Sequence, residues 1–109
     1  IDFDMTWGHR RDPAGYALGL ERFDAWLGRF LELLEPGTLL AITSDHGCDP
    51  TMPGSDHTRE YVPVLARIAG SPRSAPLGDR AGFADLAATL AEFFEIDFDG
   101  GESFLRSLR

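Results

Sequence analysis

Apolar and polar positions alternate at the start of the chain. Ile1 and Phe3 fall on one face and Asp2 and Asp4 on the other, which predicts the end of a short strand. A polar loop follows over residues 5–12, carrying Gly8, His9, Arg10 and Arg11. Asp12-Pro13 predicts a helix start, with Asp as N-cap and Pro at the first helical position. Leu20, Phe23, Leu27, Phe30 and Leu34 then recur at steps of three and four, one apolar stripe of a helix. Pro36-Gly37 stops that helix near Glu35. Residues 38–43 (TLLAIT) are a continuous apolar run, which suits a central parallel strand covered on both faces. A polar loop over residues 44–61 leads to a further strand at 62–68, with Pro63 near its start or on an edge. After a loop at 70–78, Phe83, Leu86, Leu90 and Phe93 mark a second amphipathic helix over 82–94. The last stretch of the chain reads as mostly irregular.

Strand, helix, strand, loop, strand, helix is an α/β order. The first strand–helix–strand unit is expected to be parallel, with a right-handed crossover. Two helices and three strands are few to cover both faces of such a sheet. Together with an opening Ile1 in place of Met, this leads us to expect a piece of a longer protein.

Composition narrows the function classes. The chain has 109 residues, 43% hydrophobic and 26% charged, which is ordinary for one small globular domain. The single cysteine, Cys48, cannot form an internal disulfide. No apolar run is long enough to span a membrane, and no signal-peptide pattern opens the chain. Ten Lys+Arg against 18 Asp+Glu give a formal charge of −8. Such a chain is a poor partner for nucleic acid or anionic lipid, and its acidity fits either cation binding or a solvated surface.

The histidines carry the candidate chemistry. All three sit in polar loops beside aspartates: Asp4 with His9, Asp45 with His46, and Asp56 with His57. Imidazole and carboxylate together suit zinc, manganese, iron or cobalt. Asp4 ends the first predicted strand and Asp45-His46 follow the second, and open α/β sheets bind ligands just beyond the carboxyl ends of their strands. A loop histidine is also an ordinary surface residue, and composition and spacing alone leave both readings open.

At residues 43–47 (TSDHG) the sequence resembles the metal-binding segment of the alkaline phosphatase superfamily. Its neighbours narrow the resemblance. FDMTWGHRRD at 3–12, DHGCDPTMPG at 45–54, DHTREYVP at 56–63 and GESF at 101–104 together resemble the phosphopentomutase family. The elements stand in the right order at compatible spacing and cover nearly the whole chain. The resemblance implies an alkaline phosphatase-like core fragment: an α/β fold with a mainly parallel sheet and flanking helices. It implies two divalent metal ions, usually manganese. Asp45 and His46 would bind the ion that activates a threonine nucleophile, and Asp4, His9 and His57 would bind the other. Asp4 is preferred over Asp2 because it stands five positions before His9. Paired metals roughly 3.5–4 Å apart can stabilise both oxygens of an in-line phosphoryl displacement.

The family's nucleophilic threonine, a further N-terminal aspartate ligand and the sugar-binding cap domain match nothing here; Thr6, Thr43, Thr51 and Thr58 fit none of these parts. Residues 1–109 are therefore expected to be the C-terminal part of the metal-binding core domain, inactive alone. The whole enzyme would be an isomerase interconverting ribose 1-phosphate and ribose 5-phosphate and their deoxy forms. It would be primed by a sugar bisphosphate and act in cytoplasmic nucleoside salvage, with no nucleic-acid or membrane partner. Arg10, Arg11 and Arg59 either contact phosphate or neutralise the acidic loops. Asp49 and Asp56 are expected to orient ligand imidazoles, Asp2 to be merely polar, and Cys48 to be a small buried thiol. Trp7 and Trp26 are expected to pack. Two other readings stay open: another superfamily phosphomutase or hydrolase, such as a metal-dependent phosphoglycerate mutase, and a non-catalytic metal-binding domain. The second would show satisfied sheet edges in the isolated chain, where a fragment would show an exposed apolar face.

Overall fold

The computed structural model describes residues 2–109. They divide into two units, Ile1–Leu34 with Ala41–Leu65, and Glu35–Leu40 with Ala66–Arg109.

In the first unit the expected opening strand is absent. Ile1 lies outside the described residues, and Asp2–Gly8 form a π-helical turn. Its bonds run five residues back: the His9 N–H donates to the Asp4 carbonyl at 2.9 Å and the Asp12 N–H to the Trp7 carbonyl at 2.8 Å. Four residues are too few for alternation to distinguish a strand from a helical turn. The aromatic spacing decides instead. Phe3 meets Trp7 edge-on at 5.1 Å and Tyr16 at 5.1 Å, so its apolar partners are helical.

Helix α1, Pro13–Leu31, starts as expected. The Asp12 carboxylate accepts from the Gly15 N–H at 2.9 Å, the bond that an N-cap supplies. The helix ends at Leu31, short of Glu35, because a tighter bond from the Leu33 N–H to the Phe30 carbonyl closes the last turn. The less exposed positions follow the predicted stripe, through Tyr16, Gly19, Phe23, Leu27 and Phe30, and the closest packing is at its N-terminal edge. Gly15 and Gly19, one turn apart, leave a shallow groove filled by the Trp7 indole. Phe23, Leu27 and Phe30 are only half-buried, and Leu20 is exposed. Trp26 is also exposed, with its ring stacked on Phe30 at 4.8 Å.

Strands β1 (Leu39–Thr43) and β2 (Val64–Ile68) form a two-stranded sheet. They run antiparallel, not parallel as expected. Toward one end Gly37 and Thr38 together oppose Ala69, with bonds of 2.8 and 2.9 Å, the pattern of a β-bulge. Toward the other, Gly47 and Thr58 form an antiparallel bridge. The cause lies in the connection. A loop joins the strands where a parallel pair would need a crossover, usually a helix.

In the second unit, helix α2 (Ala84–Phe93) falls within the predicted span, but its buried residues are Asp85 and Thr89, while Phe83 and Leu90 of the predicted stripe are exposed. The segment after it, expected to be irregular, supplies most of the core. Phe104, Leu105 and Leu108 are buried, with a 3-10 turn at Leu105–Ser107. Polar groups fasten this segment to α2. The buried Asp85 accepts from the Glu102 N–H at 2.8 Å and from Arg80 Nε at 2.9 Å. The Thr89 hydroxyl donates to the Asp85 carbonyl at 2.7 Å and accepts from the Phe104 N–H at 3.0 Å. Gly101, at φ +64°, passes so close to α2 that a Cβ would lie 2.7 Å from the Asp85 amide nitrogen. The motif GESF therefore has a structural basis: glycine for the approach, then two backbone amides for Asp85 and Thr89. No helix of the described residues is long and apolar enough to cross a membrane.

Candidate metal centre

All five predicted ligands belong to the first unit. Asp4 stands on the π-helical turn and His9 directly after it, bonded back to the Asp4 carbonyl, and their five-residue spacing equals the turn's hydrogen-bond repeat. The turn therefore sets both side chains on one face. Asp45 and His46 follow β1 directly. His57 lies in the returning arm of the loop, next to the Gly47–Thr58 bridge.

Four of the five side chains converge. His9 Nε2 lies 3.2 Å and His57 Nε2 3.3 Å from Asp4 Oδ1. The His46 and His57 rings stack with centroids 3.7 Å apart, and the His9 ring centroid is 4.9 Å from that of His57. Ligand atoms of Asp4, His46 and His57 all lie within 4.8 Å of one another. Asp45 stays at the edge: its side chain is 89% exposed and 3.6 Å from His46 Nε2. Asp4, His9 and His57, the expected triad, thus lie together, with His46 stacked on His57 and Asp45 beside His46 at the edge.

Asp4 Oδ1 is buried and makes no hydrogen bond, although two imidazole nitrogens approach it. For His9 the tautomer explains this. His9 Nδ1 donates to the Ser55 carbonyl and His46 Nδ1 to the Gly47 carbonyl at 3.1 Å. A carbonyl only accepts, so these nitrogens carry a proton, and the neutral form of each ring has its lone pair on Nε2. Lone pairs turned toward a carboxylate oxygen repel it, and a cation among them reverses the sign. Neutral imidazoles with a carboxylate are a donor set for a borderline divalent ion. The residues fit a metal.

The groups that orient the imidazoles are backbone carbonyls of Ser55 and Gly47, not the expected aspartates. A carbonyl has no sequence signature, so nothing pointed to them. Asp49 instead accepts from the Thr51 hydroxyl at 2.7 Å and the Thr51 N–H at 2.8 Å, which holds its carboxyl below the usual range. Asp56 is exposed, and Asp2 accepts from the Thr6 hydroxyl at 3.4 Å. Cys48 is half-buried. Burial first, then the charges of Asp4, Glu60 and Asp49, push its thiol up, which favours an uncharged group over a thiolate ligand. Arg10, Arg11 and Arg59 are exposed and form no ion pair among the described residues.

Gly47 is where the arms of the loop come closest. A Cβ there would lie 2.6 Å from the Thr58 carbonyl oxygen and 2.8 Å from the Glu60 amide nitrogen. Both are backbone atoms with little room to yield. Gly47→Ala should therefore part the arms and weaken manganese binding by at least about tenfold in titration calorimetry. Unchanged affinity would show that the arms need not touch.

Known proteins resemble this chain closely. Over 105 residues it is 55% identical to a phosphopentomutase of Anaeromyxobacter dehalogenans, covering 96% of this chain and 27% of that protein. It is 55% identical over 106 residues to a Shewanella oneidensis phosphopentomutase, with coverages of 96% and 26%. The corresponding protein of Syntrophotalea carbinolica is 50% identical over 108 residues, with coverages of 99% and 28%. The chain spans about a quarter of the length of these curated relatives. Residues 1–98 match the description of the Metalloenzyme superfamily. With its histidines turned on an orphaned carboxylate and this match over most of its length, the chain belongs to the metalloenzyme superfamily.

Proposed function

We propose that this chain is the C-terminal part of the metal-binding core of a phosphopentomutase. The enzyme would interconvert (deoxy)ribose 1-phosphate and (deoxy)ribose 5-phosphate, primed by a sugar bisphosphate, in cytoplasmic nucleoside salvage. The observation that carries the metal reading is the buried, unbonded Asp4 Oδ1 beneath the imidazoles. The names of the relatives support the choice of reaction.

In this reading Asp4, His9 and His57 hold one divalent ion, and His46 with Asp45 serves a second. Manganese is our choice for both. Such ions would polarise a phosphoryl oxygen and offset the charge that develops during transfer. The protein's own part is preparation. Asp4 brings the negative charge. The Ser55 and Gly47 carbonyls hold the Nδ1 side of His9 and His46, so that Nε2 is the nitrogen left for an ion. The π-helical turn and the closed loop bring these groups together before any ion arrives. The threonine nucleophile, a further aspartate ligand and the sugar-binding cap belong to the remainder of such an enzyme.

A chimera tests the proposal. This chain would replace the matching quarter of the Anaeromyxobacter dehalogenans phosphopentomutase. The chimera should interconvert ribose 1-phosphate and ribose 5-phosphate, and His57→Ala within it should lose that activity. A folded chimera without turnover would overturn the proposal. The 109-residue chain alone should show no turnover at stoichiometric enzyme levels, and any turnover would contradict the assignment of the nucleophile elsewhere.

A further inference from the structure

We infer that Thr58 is a positioning residue for the metal centre, holding His57 over His46 through two hydrogen bonds. The inference rests on the metal reading above and extends it to a residue that is no ligand. The Thr58 N–H donates to the Gly47 carbonyl at 3.2 Å. The same carbonyl accepts from His46 Nδ1 at 3.1 Å. One oxygen thus ties the neighbour of His57 to the ring of His46. The Thr58 hydroxyl supplies the second tie, accepting the Asp49 N–H at 2.7 Å. Asp49 belongs to the turn that reverses the loop, where its carboxylate is occupied by Thr51. The Asp49 amide therefore gets its partner from Thr58 and not from its own side chain.

The two ties hold the arms in register, one on either side of Cys48. A slip of one residue would turn His57 away from His46, because neighbouring side chains in a paired segment point to opposite faces. Thr58 itself is half-buried, and it touches no imidazole through its hydroxyl. Its effect on the metal must pass through His57.

Two variants separate this role from general support. Thr58→Val keeps the shape and removes the acceptor, and Thr58→Ser keeps the acceptor. Each full chain would be compared with the wild type in two measurements: nuclear Overhauser contacts between the His46 and His57 rings without metal, and manganese titration calorimetry. In the wild type the ring contacts should be strong, since the centroids are 3.7 Å apart. Thr58→Val should lose them and bind manganese about tenfold more weakly, with Thr58→Ser within about twofold of wild type. Ring contacts retained in Thr58→Val would overturn the inference, and so would lost contacts with unchanged affinity. Collapse of the α1 amide signals in the same variant would overturn it in favour of a general structural role. A wild type with ring contacts that binds no manganese would sink the metal reading instead. The contacts in the two variants would then decide the role of Thr58 by themselves.

Discussion

Asp4→Asn is expected to abolish divalent-metal binding and leave the metal-free chain as stable as before, or more so. The buried Asp4 Oδ1 has no hydrogen-bond partner, so the metal-free protein keeps a carboxylate facing lone pairs at a net cost. An amide removes the charge and offers an N–H to those nitrogens. With metal the sign reverses. A ligand at about 100 times its Kd stabilises the state it binds by about 2.7 kcal/mol. At roughly 4–8 °C per kcal/mol for a domain of this size, the wild type should gain roughly 10–20 °C in Tm on saturation. Asp4→Asn should gain nothing, with affinity reduced more than about 100-fold. Thermal scans with and without manganese read both quantities. An undiminished metal-induced shift in the variant would remove Asp4 from the site.

The second large effect belongs to the second unit. Asp85→Ala should lower Tm by roughly 10 °C or more, because it leaves the Glu102 N–H and the Arg80 guanidinium without their shared acceptor. Glu102→Ala is the control. Its side chain is 87% exposed and 4.0 Å from Arg80, an arrangement that contributes little. Acid should act as the mutation does. The bond from the Glu102 amide, foremost, and the Arg80 guanidinium hold the Asp85 carboxyl below its ordinary 3.8. A depressed folded value means stability that is fully present above the ordinary value and is lost as pH falls through the folded one. Wild-type Tm should therefore fall as pH drops below about 4, and Asp85→Asn should flatten that part of the profile. An equally steep fall in the variant would assign the acid sensitivity to other carboxylates.

Some of this was legible in the sequence because the signal is local. Asp12-Pro13 names the start of α1 by the chemistry of a helix end, and the stripe from Phe83 to Phe93 names α2 by its period. The ligand candidates came from the family resemblance of the segments around Asp4, Asp45 and His57, since a histidine beside an aspartate alone left the surface reading open. The misses share a cause, which is that tertiary partners outweighed local pattern. Phe3 found Trp7 and Tyr16, so residues 2–4 wound into a turn. The antiparallel pairing of β1 and β2 depends on a loop whose closure is written in backbone bonds. The importance of the GESF segment lay in amides that serve Asp85 and Thr89. The apolar stripe of α1 holds the less exposed positions of that helix, but two glycines give Trp7 a seat that apolar periodicity does not register. The exposed side chains along that helix, Leu20 and Trp26 among them, are the sign expected of a piece that packs against more protein.

The cluster around Asp4 also has a consequence for the unfolded chain. His46 and His57 are near neighbours along the backbone, whereas Asp4 is far from both. An ion shared by Asp4 and His57 would act as a removable cross-link, closing a long loop through α1 and β1. Chain-entropy arithmetic puts a permanent link of that span at roughly 4 kcal/mol, through the freedom it denies the denatured ensemble. On the proposed reading, a chelator acts on this protein much as a reductant acts on one held by a disulfide.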